Sequence, residues 1–128
     1  MVGLGHSYTL KDPTYEEALD FLRLDKTNEN EYIEGVYICI HFASDVSNNA
    51  EAAGFRSALV DVLFPQMGHT LVAFRTIDEG LVYFDPQTDE RVRPVIGRRY
   101  HQCIEPEPGY TYSAPPFDDT IMDIVLSW

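Results

Sequence analysis

The sequence predicts an α+β fold: N-terminal helices, with a central helix packed on an antiparallel sheet. Three observations predict it. Two helical patterns lie in the first 54 residues. The stretches that follow read mostly as strands, in sequential order. A Pro-rich stretch separates the last of them, and no second half repeats the order. At 128 residues the chain has the length of a single domain, residues 1–128, with 45% hydrophobic and 23% charged residues.

The first helix starts at "DPTYEEALDFLRL". Thr14 and Glu17 have the spacing of a capping box, with Asp12 before Pro13 as a competing start. Tyr15, Ala18, Leu19 and Leu22 share one face. "DKTNENEYIEG" is polar and loop-like. The second helix runs from about Tyr37 to Ala53 and stops at Gly54. Cys39, Ala43, Val46, Ala50 and Ala53 make one narrow stripe on it. Most of that stripe is alanine, which calls for a close-packed neighbour. "RSALVDVLF" reads as a strand ended by "PQMG". "GHTLVAFRTIDEGLVYFDP" reads as a hairpin, "RVRPV" as a further strand, "EPEPGYTYSAPPFDD" as a loop and "TIMDIVLSW" as a closing strand.

Net charge is −12, from 21 acidic against 9 basic residues, so the surface repels phosphate backbones and no nucleic-acid partner is expected. No apolar run has the length of a membrane span, and no membrane partner is expected. "MVGLGHSYTL" has neither a basic start nor an apolar core, so no signal peptide is read and a cytoplasmic location is expected. A domain cut from an exported protein would look the same. Arg91, Arg93, Arg98 and Arg99 crowd one stretch and are read as a solvated strand or loop, with an anchor for an anionic ligand as the alternative. Cys39 and Cys103 are the only cysteines. No CxxC pair exists, so neither a metal nor a cofactor is expected. A Cys39–Cys103 bridge would count against a reactive thiol.

Cys39 falls at a helix start, where the N-terminus stabilises a thiolate. A nucleophilic cysteine also needs a base, and the base needs a group to fix its tautomer. His69 opens the first strand of the hairpin and Asp85 closes the second, so Cys39, His69 and Asp85 are the candidate catalytic residues. His41 points away from the stripe and is read as a surface residue; His6 and His101 have no supporting context. The N–H of Cys39, with Tyr32 or Tyr37, is the expected donor set for a developing oxyanion. The hairpin poses a difficulty. Direct pairing of His69 with Asp85 centres it on Ile77, whereas the turn "DEG" centres it on Glu79. That leaves the pair four positions out of step, about 13 Å along a strand. A wider loop, a bulge or strong twist is expected to close the gap.

"YICIHFASDVSNNAEAAGFRSALVDV" followed by "GHTLVAFRTIDEGLVYFDP" resembles the transglutaminase-like superfamily of cysteine enzymes, above all its small microbial members. Cys39, Gly54, His69 and Asp85-Pro86 carry the likeness, over residues 32–90. It implies a papain-like/transglutaminase-like core and a Cys-His-Asp enzyme acting on a protein or peptide substrate through a thioester. Ile40 and Leu71 stand where many members carry tryptophan, with Phe42, Phe74 and Tyr83 as substitute aromatic walls. Water is therefore expected as acceptor, making an amide or peptide hydrolase. The alternatives are an amine-accepting acyl transferase and an inactive binding or structural module that keeps the fold.

Overall fold

The computed structural model describes residues 9–128. His6 and most of the stretch read for a leader therefore lie outside the described residues. Helix α1 spans Tyr15–Leu24 and α2 spans Cys39–Ala52. Strands β1 (Ala58–Leu63), β2 (Gly68–Thr76), β3 (Gly80–Phe84), β4 (Arg91–Val92) and β5 (Asp123–Ser127) form one sheet in the order β4-β3-β2-β1-β5. Every pairing is antiparallel.

Local chemistry sets the helix ends. Thr14 Oγ1 accepts from the Glu17 N–H at 3.0 Å, and Glu17 accepts from the Thr14 N–H at 2.9 Å. The α2 start is different. Ile38 has no polar side chain to cap it, and only the reverse half of a cap forms, from the Ile38 N–H to His41 Nδ1 at 3.1 Å. The N–H groups of Cys39 and Ile40 have no hydrogen-bond partner among the described residues. At the other end, Gly54 adopts φ +92°, a left-handed turn that stops the helix.

The alternation of β2 divides the core. Val72 and Phe74 pack with Val82 and Phe84 of β3 against Ala18 and Leu22 of α1 and Val46 and Ala50 of α2. Leu71 and Ala73 face the other side beside Val60 and Val62 of β1, and Tyr100, Cys103 and Ile121 from the irregular chain cover them. The sheet is thus sandwiched between two helices and the irregular chain after β4. The alanines at 43 and 50 let α2 approach β2 closely, and both are fully buried.

The β2–β3 hairpin is regular. Thr76 pairs with Gly80 and Val72 with Phe84, so the pairing is centred on Asp78. Gly80 has φ +72°, and Thr76 Oγ1 both donates to the Gly80 carbonyl at 2.7 Å and accepts from the Glu79 N–H at 3.0 Å. The tip docks on α1, whose Tyr15 N–H donates to Asp78 at 2.8 Å. Strand β4 is only two residues long. Of the arginine cluster, Arg91 pairs with Glu79, Arg93 with Glu105 and Arg99 with Asp119. These three serve the chain's own carboxylates.

Candidate functional site

Helix α2 begins beside the first residues of β2. This places Cys39 against the open end of the sheet, with its Sγ 3.9 Å from Thr70 Oγ1. His69 is the neighbouring residue on the strand. Its Nε2 bonds Asp85 Oδ2 at 2.8 Å, which leaves Nδ1 for the thiol side. The hairpin needs no bulge to achieve this. In the observed register Leu71 stands opposite Asp85, and His69 lies two residues further along the same face. Diagonal neighbours of this kind are within reach of long side chains. The expected gap of four positions shrinks to two because the pairing is centred one residue earlier than the turn residues implied.

Asp85 is held on every side. Oδ2 also accepts from the Tyr100 hydroxyl at 2.8 Å, and Oδ1 accepts from the Gln87 N–H at 2.9 Å. The turn after it closes through Asp89 N–H to the Asp85 carbonyl at 2.7 Å, with Asp89 at φ +64°. The Tyr100 ring meets His69 edge-on at 5.2 Å. Tyr100, which carries no motif in the sequence, is thus part of the site.

The electrostatics follow. Burial opposes the charged form of Asp85, but the hydrogen bond and charge of His69 outweigh it and hold the carboxyl below its ordinary value. Burial likewise disfavours a charged His69, yet its contacts with Asp85 and Cys39 push it up to about 10. Interaction with His69 lowers the Cys39 thiol against the effect of its partial burial. Cys39 and Cys103 are both free, and Cys103 is buried in the core, so no bridge consumes the thiol.

A cleft of about 430 Å³ opens over these residues. Its aromatic walls are Tyr32, Phe64, Tyr100, Tyr112 and Phe117. Phe42 and Phe74 are buried in the core and Tyr83 packs against it, which corrects their expected place as aromatic walls; Leu71 is buried and Ile40 is exposed on the helix. The Tyr37 hydroxyl is engaged with Asp45 and Asn30, so of the two tyrosines expected as oxyanion donors only Tyr32 lines the cleft. His41 caps α2 and stacks on Tyr37 at 5.7 Å. Among the described residues no cluster of three or more His, Cys, Asp or Glu side chains is disposed to hold a metal. No helix among them is long and apolar enough to cross a membrane.

No family model matches the chain, and no curated protein matches it. It is similar in structure to a PSL1a–E64 complex, at 14% identity and TM-score 0.52, over 66% of this chain and 37% of that one. It is also similar to Polyporus squamosus lectin bound to the human-type influenza-binding epitope Neu5Aca2-6Galb1-4GlcNAc. That likeness has 12% identity and TM-score 0.54, over 69% of this chain and 38% of that one. The chain therefore spans less than two-fifths of these neighbours' length, and at these identities the likeness is one of fold. The second of these neighbours is, by name, a lectin bound to a glycan epitope. The two neighbours overturn the transglutaminase-like assignment and the papain-like/transglutaminase-like core, in favour of a mostly antiparallel sheet with two helices. The amide or peptide hydrolase acting through a thioester is withdrawn with them, as are the acyl transferase and the inactive transglutaminase-like module. The physical reason lies in the pattern used. A junction between a helix start and the end of an antiparallel hairpin occurs on many folds and can carry a Cys, a His and an Asp-Pro on any of them, so their order alone does not specify a family.

Proposed function

We propose that the chain is a binding module whose cleft carries a nucleophilic thiol, with Cys39, His69 and Asp85 as its reactive residues. The observation that carries this is the 2.8 Å bond from His69 Nε2 to a fully satisfied Asp85, with Cys39 on the thiol side of the same ring. In this reading Cys39 holds its charge as a thiolate and His69 holds the proton. Asp85 fixes the ring and offsets its charge. A ligand carbon that accepts electrons forms an S–C bond to Cys39. A displaced leaving group departs with its electron pair; an added carbonyl oxygen takes the proton from His69. The lectin among the structural neighbours supports a binding role for the cleft, and its aromatic walls together with its polar lining groups suit a polypeptide segment.

The test is iodoacetamide labelling of the intact protein across pH, with the modified cysteine located by peptide mapping. Cys39 should label faster than Cys103 and retain its reactivity below the pH at which an ordinary thiol, with pKa of about 8.5, loses it. An ordinary thiol profile at Cys39, unchanged by His69→Ala, overturns the reading. Protection of Cys39 by peptides identifies the ligand class. Glycans are a second reading, favoured by the aromatic side chains of Tyr32 and Tyr112 on the cleft wall. Protection by glycans alone would select it.

A further inference from the structure

A second histidine–carboxylate pair stands in the same cleft. His101 lines it together with Cys39 and His69, from the short 3₁₀ turn Tyr100–Gln102. Asp119, 1% exposed, accepts at Oδ2 from both the His101 backbone N–H at 2.9 Å and its ring Nδ1 at 2.8 Å. Its Oδ1 accepts from Arg99 Nε. A carboxylate can only accept, so the proton must sit on Nδ1. In the neutral ring Nε2 is then an acceptor, and none of the hydrogen bonds among the described residues reaches it. Asp119 is thus shared between Arg99 and His101. The ring lines the cleft and is not one of the side chains of the apolar core.

We propose that His101 is a ligand-orienting residue, and that its Nε2 accepts a hydrogen bond from a backbone N–H of a polypeptide bound over Cys39. This rests on the reading of the cleft given above. Two imidazoles then divide the work: His69 serves the thiol, and His101 sets the register of the ligand. A polypeptide brings a donor at every residue, and an N–H taken into the cleft without an acceptor disfavours binding. Asp119 acts through His101 and does not touch the ligand.

The experiment uses a tetrapeptide chloromethyl ketone and its four singly N-methylated forms, on the wild type, His101→Ala and His101→Asn. Asparagine retains a side-chain donor for Asp119 but removes the imidazole acceptor. Each labelling rate at Cys39 is divided by the same variant's iodoacetamide rate, which removes changes in the thiol itself. In the wild type one N-methylation should slow labelling about tenfold, the scale of one hydrogen bond, and the others little. In both variants that position should lose its penalty. An equal penalty in wild type and variants, or none in the wild type, overturns the role of His101. An ordinary iodoacetamide profile at Cys39 would instead overturn the cleft reading, and this inference with it.

Discussion

His69 and Asp85 meet across the hairpin on a diagonal, two residues out of direct register, with 2.8 Å between Nε2 and Oδ2. This contact determines which nitrogen faces Cys39. Removing the Asp85 charge should therefore reach the thiol through the ring. In Asp85→Asn the His69 pKa should fall from about 10, and Cys39 labelling at pH 7 should slow by about tenfold or more. The sign on stability follows from the lowered Asp85 pKa. Its contribution is fully present above the unfolded value and is lost as pH falls through the folded one. His69 is raised, so its contribution is present below its unfolded value and lost as pH rises through about 10. Thermal melts of wild type and Asp85→Asn should thus diverge near neutrality and converge in acid. Parallel melting curves at every pH would count against the coupling.

Tyr100→Phe removes one donor to Asp85 while keeping the ring against His69. The expected loss of stability is about 1 kcal/mol, the scale of a single hydrogen bond. The labelling profile of Cys39 should move toward that of Asp85→Asn without reaching it, because His69 and the Gln87 N–H still bind the carboxylate. Urea titration and the pH profile together check this.

Asp89 offers a substitution that should stabilise. Its burial, reinforced by the charges of Asp25, Asp85 and Glu107, pushes it up to about 7. Its Oδ1 is buried without a partner. A raised carboxyl contributes fully below its unfolded pKa, and that contribution is lost as pH rises through about 7. Asn tolerates the left-handed backbone at this position and carries no charge. Asp89→Asn should add about 1–2 kcal/mol at pH 8, after discounting for solvent screening, and nothing near pH 3. Melting temperatures at the two pH values measure the difference.

Ala43 is fully buried where α2 faces the sheet. Ala43→Leu should cost about 1–3 kcal/mol by overpacking. Because the added bulk lies one turn from Cys39, labelling at Cys39 should slow as well. A destabilised protein with unchanged labelling would show that the helix start adjusts independently of its packing.

The helix ends were legible because their signals are local: Thr14 with Glu17, and Gly54. The alanines of α2 revealed its close neighbour for the same reason, since size is a property of single residues. The site was legible only as a pattern of residue types. Cys39, His69 and Asp85 could be selected by what a thiol requires, but their meeting depended on a register that the turn residues misplaced by one position. Tyr100, His101 and Asp119 were not legible. They come from irregular chain, where no periodicity relates position to facing, and a carboxylate such as Asp119 looks in sequence like any acidic loop residue. The family assignment failed because spacing constrains topology less tightly than it constrains a single element.

Tyr100 and His101 are adjacent in the chain, yet one is bound to Asp85 beside β3 and the other to Asp119 in the segment leading to β5. One short turn therefore acts as a spacer that sets the width of the opening. A ligand entering it would find the walls already at their working distance and would lose little conformational freedom in aligning them. Association should then proceed in a single kinetic phase, with a rate that rises linearly with ligand concentration and shows no plateau from a slow rearrangement.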